Sequence, residues 1–188
     1  MESSVKYKFK DFNELNKEEI LLVWKWRNDL KIRQWMYDNS EIIFENHLKF
    51  IDALKNNTQK KYWVAFRNNI PIGVSSIVNI KNNSGEWGYY IGPEYHDENF
   101  GVEFYYYSLK FAFEQLGFEK LYGYAFVENN RANSLNKLFG FTSENVKKEM
   151  DDGIKDFYFM ELDSKTWMDG TKTNQKIIRL LELTINKY

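Results

Sequence analysis

The sequence predicts an α/β domain on a mixed sheet, in the order β-α-α-β-β-β-α-β-α-β followed by a C-terminal helix. Strand-like segments between Lys61 and Ile91 are separated only by short polar turns, so they pair antiparallel. Segments Glu86–Ile91 and Leu121–Val127 are joined through a helix instead, a crossover that makes them a parallel or splayed pair. A length of 188 residues, with 43% hydrophobic and 28% charged side chains, suits one domain with its own core.

Val5, Tyr7 and Phe9 alternate with Lys6, Lys8 and Lys10, the pattern of a half-buried strand. Asn16 can cap a helix while Glu19 returns the bond, and Leu15 and Ile20 form an apolar staple over its start. That helix runs to about Asn28, with Ile20, Val23, Trp24 and Arg27 on one face. An aromatic-rich loop over 29–43 carries Trp35, Met36 and Tyr37. A second helix starts near Phe44 and places His47, Phe50, Ile51 and Leu54 together. Strands follow at Lys61–Arg67, Pro71–Ile80 and Glu86–Ile91, with turns at Asn68-Asn69 and Lys81–Gly85.

The loop Gly92–Phe100 enters a third helix, lined by Tyr105, Leu109, Ala112, Phe113 and Leu116 and ended by Gly117. Beyond the strand Leu121–Val127, a short helix opens at Asn130 or Arg131 and runs through Leu138. Phe139-Gly140-Phe141 leads out of it toward a last strand, Phe157–Leu162. From Thr173, residues Ile177, Leu180, Leu181 and Thr184 share one face of a terminal helix. The expected organisation is a domain over 1–163 and a helical extension over 164–188 packed on it.

Composition narrows the function. Net charge is −1 with no basic stripe, which argues against a nucleic-acid partner. The absence of cysteine removes disulfides, a thiol nucleophile and an acyl-cysteine intermediate. The two histidines form no ligand cluster, so no metal is expected. Met1–Lys10 lacks an apolar leader core and no apolar run is long enough to span a bilayer, so the expectation is a cytoplasmic protein without a membrane partner. Aromatics at 18% can fill a core or line a cleft.

Two segments carry chemistry. Asp97-Glu98-Asn99-Phe100-Gly101 follows a strand and opens a helix, where unpaired N–H groups and the helix dipole favour a pyrophosphate and Gly101 permits close approach. Asn129-Asn130-Arg131-Ala132, followed by Leu135 and Lys137-Leu138-Phe139-Gly140-Phe141, is a capped helix with an apolar-Gly-Phe exit. In this order and separation they resemble the GNAT acetyltransferase superfamily over roughly Lys8 to Leu162. That family carries Gln/Arg-x-x-Gly-x-Gly/Ala at the CoA pyrophosphate and Asn-x-x-Ala…Tyr…Gly-Phe downstream. This chain departs from it with His96 and Asn99 in place of the Gln/Arg and first Gly, and with Asn136 in place of the Tyr that protonates the departing thiolate. Asn cannot serve as an acid.

Further segments narrow the resemblance: Trp26-Arg27-Asn28, Trp35-Met36-Tyr37, His47-Leu48-Lys49-Phe50-Ile51, Glu86–Ile91 and Phe111–Leu116. Together they are similar to the N-acetyltransferases of pseudaminic acid synthesis and to enzymes acylating other nucleotide-linked amino-deoxysugars. The resemblance implies a GNAT fold with pantetheine between the splayed strands, acetyl-CoA or another acyl-CoA as co-substrate, and direct attack by a sugar amine. It implies an amino-dideoxysugar carried on UDP or dTDP, acylated for a surface glycan. Glu86 is the candidate base, through water, with Tyr90 and Asn136 near the thioester. Tyr89, Ile91, Asn129 and the segment Asp97, Glu98, Asn99, Phe100 and Gly101 are assigned to the cofactor. Trp35, Met36 and Phe50 offer a flat surface for a base, Arg27 and His47 donors for a diphosphate, and Tyr37 a further substrate contact. Read alone, Arg27 is equally a helix-end surface charge, while His47, Trp35 and Met36 read first as core residues. A protein-acetylating enzyme and a non-catalytic acyl-CoA sensor stay open, as does a homodimer.

Overall fold

A computed structural model describes residues 6–96, 100–150 and 153–170, together with Lys176 and Arg179. The C-terminal helix expected from Thr173, and the loop residues Asp97, Glu98 and Asn99, lie outside the described residues.

The chain opens with β1 (Tyr7–Asp11) and a 3-10 turn, Phe12–Glu14. Helix α1 (Lys17–Asn28) starts on a full capping box: Asn16 accepts from the Glu19 N–H, and the Glu19 carboxylate accepts from the Asn16 N–H. Such a cap contributes about 1 kcal/mol. Within the expected loop lies a four-residue helix, α2 (Leu30–Arg33), capped by Asp29. Helix α3 (Phe44–Leu54) turns His47, Ile51 and Leu54 inward.

Three antiparallel strands follow: β2 (Lys61–Arg67), β3 (Ile70–Lys81) and β4 (Ser84–Ile91). Their hairpins turn on Asn68-Asn69 and Asn82-Asn83, all four at positive φ, which asparagine tolerates better than most residues. Helix α4 (Phe100–Lys110) continues as a π-helical turn, Phe111–Gln115, before Gly117 at φ 73° ends it. Strand β5 (Lys120–Phe126), helix α5 (Asn130–Leu138), strands β6 (Thr142–Met150) and β7 (Gly153–Asp163), and helix α6 (Ser164–Asp169) complete the described chain.

Among the described residues the sheet has seven strands in the order β1-β2-β3-β4-β5-β7-β6. Only β4 and β5 are parallel. The mixed sheet with a helical crossover is therefore as the sequence predicts, with one correction. Strand β6 is absent from the predicted order. Its sequence, Thr142-Ser143-Glu144-Asn145-Val146-Lys147-Lys148-Glu149-Met150, is charged because it forms the sheet's edge, where charges discourage pairing with other chains.

The two faces of the sheet carry separate cores. Helix α4 covers one, packing Tyr105, Leu109 and Phe113 against Trp87, Leu121, Phe139 and Met160, with Trp167 of α6 joining them. Helices α1 and α3 cover the other through Val23, Trp26, Ile51 and Leu54 against Val64 and Val74. On α1 the buried tryptophan is Trp26. Gly92 leaves room for its indole, because a Cβ there would sit 2.7 Å from the ring, and Glu94 accepts its N–H at 2.9 Å. Trp24 instead holds the following loop, donating to the Ile42 carbonyl at 2.6 Å and meeting Phe44 edge-on.

Candidate active site

The site forms where the sheet parts. Strands β4 and β5 pair only from Ser84 with Lys120 to Glu86 with Tyr122. Beyond that β4 stays bonded to β3 through Ile91, and β5 to β7 through Phe126. A Cβ built on Gly123 would lie 3.0 Å from the Trp87 carbonyl, so the Trp87 backbone faces the gap. The two-residue period of a strand turns the Tyr89 and Ile91 backbones the same way. At the far end His96 Nε2 donates to the Ile91 carbonyl at 2.9 Å.

A cavity of about 950 Å³ occupies the gap and is walled from both faces of the sheet. On the α1–α3 face it collects Arg27, Trp35, Met36, Tyr37, His47 and Phe50, with Glu86 and Tyr90 of β4. On the α4–α5 face it reaches Tyr89, Asn129, Arg131, Asn136 and Met160. Residues drawn from α1, the 29–43 loop and α3 thus converge on one wall, a proximity that sequence distance does not suggest.

Glu86 sits half-buried at the parting point. Its Oε1 accepts from the Tyr37 hydroxyl at 2.9 Å and its Oε2 from Asn79 Nδ2 at 3.0 Å. Asn79 reaches it from a β-bulge in β3, at φ 53°, where the register slips between Val78 and Lys81. Burial and the neighbouring Glu86 carboxylate push the Tyr37 hydroxyl well above its ordinary pKa, so it stays a donor. Burial does the same to Tyr90.

Two further polar side chains, Arg27 and His47, stand on the same wall. Arg27 Nη2 donates to the Asp38 carbonyl at 2.7 Å, tying α1 to the loop, while its buried Nη1 has no partner. His47 is 4% exposed, burial lowers its pKa, and its Nε2 also lacks a partner. Phe50 meets Tyr62 edge-on beside them, and Trp35 leans over Phe126 of β5.

Other predicted residues stand differently. Asn136 is buried, with its Oδ1 accepting from the Tyr105 hydroxyl and its Nδ2 directed at the Met160 sulfur. The Asn129 side chain caps α5, accepting from the Ala132 N–H at 3.2 Å. Phe100 and Gly101 open α4 outside the cavity wall, and the Phe100 ring carries the Arg67 guanidinium 4.4 Å from its centre. Arg131 belongs to the Asn129-Asn130-Arg131-Ala132 motif, which by itself assigns it no role. It lines the cavity, donates to the His96 carbonyl at 2.8 Å, and lies 3.9 Å from where a Gly101 Cβ would be. It therefore places a cation beside the start of α4. Among the described residues no three His, Asp or Glu side chains gather as a metal site, and no helix is long and apolar enough to cross a membrane.

A family model described as an acetyltransferase (GNAT) domain matches residues 11–142. The chain belongs to the GNAT acetyltransferase family. It is 38% identical over 153 residues to the acetyltransferase PseH of Campylobacter jejuni serotype O:2, covering 81% of this chain and 91% of that one. The same protein from serotype O:23/36 matches at 38% over 151 residues, 80% of this chain and 90% of the other. The crystal structure of Campylobacter jejuni N-acetyltransferase PseH with acetyl coenzyme A superposes with a TM-score of 0.67 at 34% identity, over 84% of this chain and 99% of that one. A Vibrio cholerae spermidine N-acetyltransferase shares the fold, with a TM-score of 0.76 at 18% identity, over 88% of this chain and 99% of that one.

The GNAT chain is thus an acyltransferase using acyl-CoA, and the parted strands suit that co-substrate. An extended pantetheine presents amides, and the open edge of β4 presents backbone groups to pair with them. Tyr89 lines the cavity, and its buried, unpartnered hydroxyl is a further polar group for such a ligand to satisfy.

Proposed function

We propose that this enzyme transfers an acetyl group from acetyl-CoA to the amine of a nucleotide-diphosphate-linked amino-dideoxysugar, in the synthesis of a surface glycan. The observation that carries the reading is the α1–α3 wall of the cavity: the buried Arg27 Nη1 donor has no protein partner and stands with the unpartnered His47 Nε2 among Trp35, Met36 and Phe50. An unpartnered buried donor costs about 1–3 kcal/mol, so the Arg27 guanidinium points to an anionic ligand. The flat apolar side chains give a nucleobase its surface. Kinship with the N-acetyltransferase PseH, solved with acetyl coenzyme A, supports acetyl transfer to an amine.

The chemistry follows from the two faces. The sugar amine arrives from the Glu86 face and attacks the thioester carbonyl lying in the gap. Glu86, directly or through water, takes the amine proton, while Tyr37 and Asn79 hold its two oxygens. A β4 backbone N–H polarises the carbonyl. Use of acyl-CoA together with a nucleotide sugar supports a cytoplasmic reaction.

Thiol release tests the reading. Acetyl-CoA and a larger acyl-CoA are offered against UDP- and dTDP-linked 3- and 4-amino-6-deoxysugars. Release that depends on one sugar nucleotide supports the proposal and identifies base, amine position and acyl group together. Measurable CoA binding with no release from any pair overturns it in favour of a protein acceptor or a sensor.

A further inference from the structure

The α5 position that holds a proton-donating tyrosine in the family pattern carries Asn136 here, and its side chain is bound by Tyr105 and Met160. The sulfur leaving group therefore needs another partner. We propose that the Tyr89 hydroxyl fills this role, donating a hydrogen bond to the CoA sulfur as the carbon–sulfur bond breaks.

Position comes first. Tyr89 lies three residues beyond Glu86 on β4, so the two side chains leave the strand on opposite faces. Glu86 is bonded to Tyr37 on the α1–α3 face. Tyr89 packs in the α4 core, stacked on Trp87 at 5.0 Å and edge-on to Tyr105 at 5.0 Å. A thioester in the gap thus meets its amine from one face and can release its sulfur toward the other. Tyr105 is the ring that bonds Asn136, which brings Tyr89 to the neighbourhood of the vacated acid position.

Chemistry comes second. Tyr89 lines the cavity, and its hydroxyl is buried and has no partner among the described residues. A group in that state is stabilised by a ligand that accepts its hydrogen bond, and a forming thiolate is a strong acceptor. Burial raises its pKa, partly opposed by Arg131, far above a thiol's ordinary value of about 8.5. Full proton transfer to sulfur would therefore run uphill, and the hydroxyl acts by donation. The balance is complete without it. The amine nitrogen forms the C–N bond, the C–S electron pair leaves on sulfur, the amine proton passes to Glu86, and water carries a proton from Glu86 to the thiolate.

Tyr89→Phe removes only the hydroxyl and keeps both ring contacts. A lost hydrogen bond to a charged group corresponds to a fall in kcat of about 10- to 150-fold, with KM for acetyl-CoA little changed. The decisive measurement needs no acceptor, so it stands apart from the amino-sugar reading. CoA is bound to each protein and its thiolate absorbance is titrated with pH. The bound thiol should titrate about one to two units lower in the wild type than in Tyr89→Phe. Equal thiol titration in the two complexes overturns the proposal, whatever happens to kcat.

Discussion

Replacing Glu86 by Gln isolates the proposed base. The carboxylate accepts two hydrogen bonds, from Tyr37 at 2.9 Å and Asn79 at 3.0 Å. A Gln amide can turn its oxygen to Asn79 Nδ2 and its NH2 to the Tyr37 oxygen, which accepts once its own proton rotates away. Both contacts survive, so the substitution changes chemistry rather than architecture, and stability should move by no more than about 0.5 kcal/mol. The amide cannot take up the amine proton. Loss of a general base lowers turnover by about two to four orders of magnitude, equivalent to about 2.7 to 5.5 kcal/mol of barrier. Thiol release gives kcat, calorimetry gives acetyl-CoA affinity, and a thermal scan gives Tm. Turnover within about threefold of wild type across the pH range would refute the role. An equally large loss of acetyl-CoA affinity would move Glu86 from proton transfer to cofactor binding.

Arg27→Ala should raise KM for the sugar nucleotide about 10- to 150-fold, as for a lost charged hydrogen bond, and leave KM for acetyl-CoA unchanged. Equal effects on both would place Arg27 outside acceptor recognition. His47, with its pKa lowered by burial, remains neutral in the fold where the unfolded chain binds a proton. Its contribution is thus intact above about pH 6.5, the ordinary histidine value, and is lost progressively as pH falls below it. Thermal scans of the wild type and His47→Asn should therefore diverge in slope below about pH 6.5, the variant being flatter. Parallel curves would count against the buried neutral histidine.

Much of the fold was legible because its signals are local. Asn16 and Glu19 announce α1 by reciprocal capping, and the strand limits Lys61–Arg67 coincide with β2. Asn130 to Leu138 likewise coincide with α5. The crossover from β4 to β5 required only a helix between two strands. What stayed hidden depended on partners. β6 is polar because it pairs on one side only, so alternation is blurred by edge charges. Trp26 is buried because Gly92, distant in sequence, leaves the space. Within the site, Arg27, His47 and Glu86 are readable as chemistry-bearing residues, but Asn79 sits inside an ordinary strand pattern. Only the bulge, a property of the β3–β4 register, turns it toward Glu86. The tie of Arg131 to His96 similarly appears only once α5 is placed beside the β4–α4 loop.

The parting of β4 and β5 leads to a last prediction at the level of single amides. Strand β4 keeps its bonds to β3, and the Gly92 N–H continues that edge by donating to the Ile72 carbonyl at 2.9 Å. Alternation then assigns the Gly88 and Tyr90 amides to β3, and the Tyr89 and Ile91 amides to the gap. The gap amides need an acceptor, and an extended pantetheine lying along β4 provides carbonyls at strand-like spacing. Hydrogen exchange with and without acetyl-CoA should therefore show new protection at Tyr89 and Ile91. Gly88 and Tyr90 are already bonded and should change only through global stabilisation, which at a hundredfold excess over Kd is about 2.7 kcal/mol. Comparing the amides within one strand removes that global term. Uniform protection across all four would mean that the cofactor stabilises the fold without pairing with β4. Protection confined to Gly88 and Tyr90 would contradict the strand register from which the site is derived.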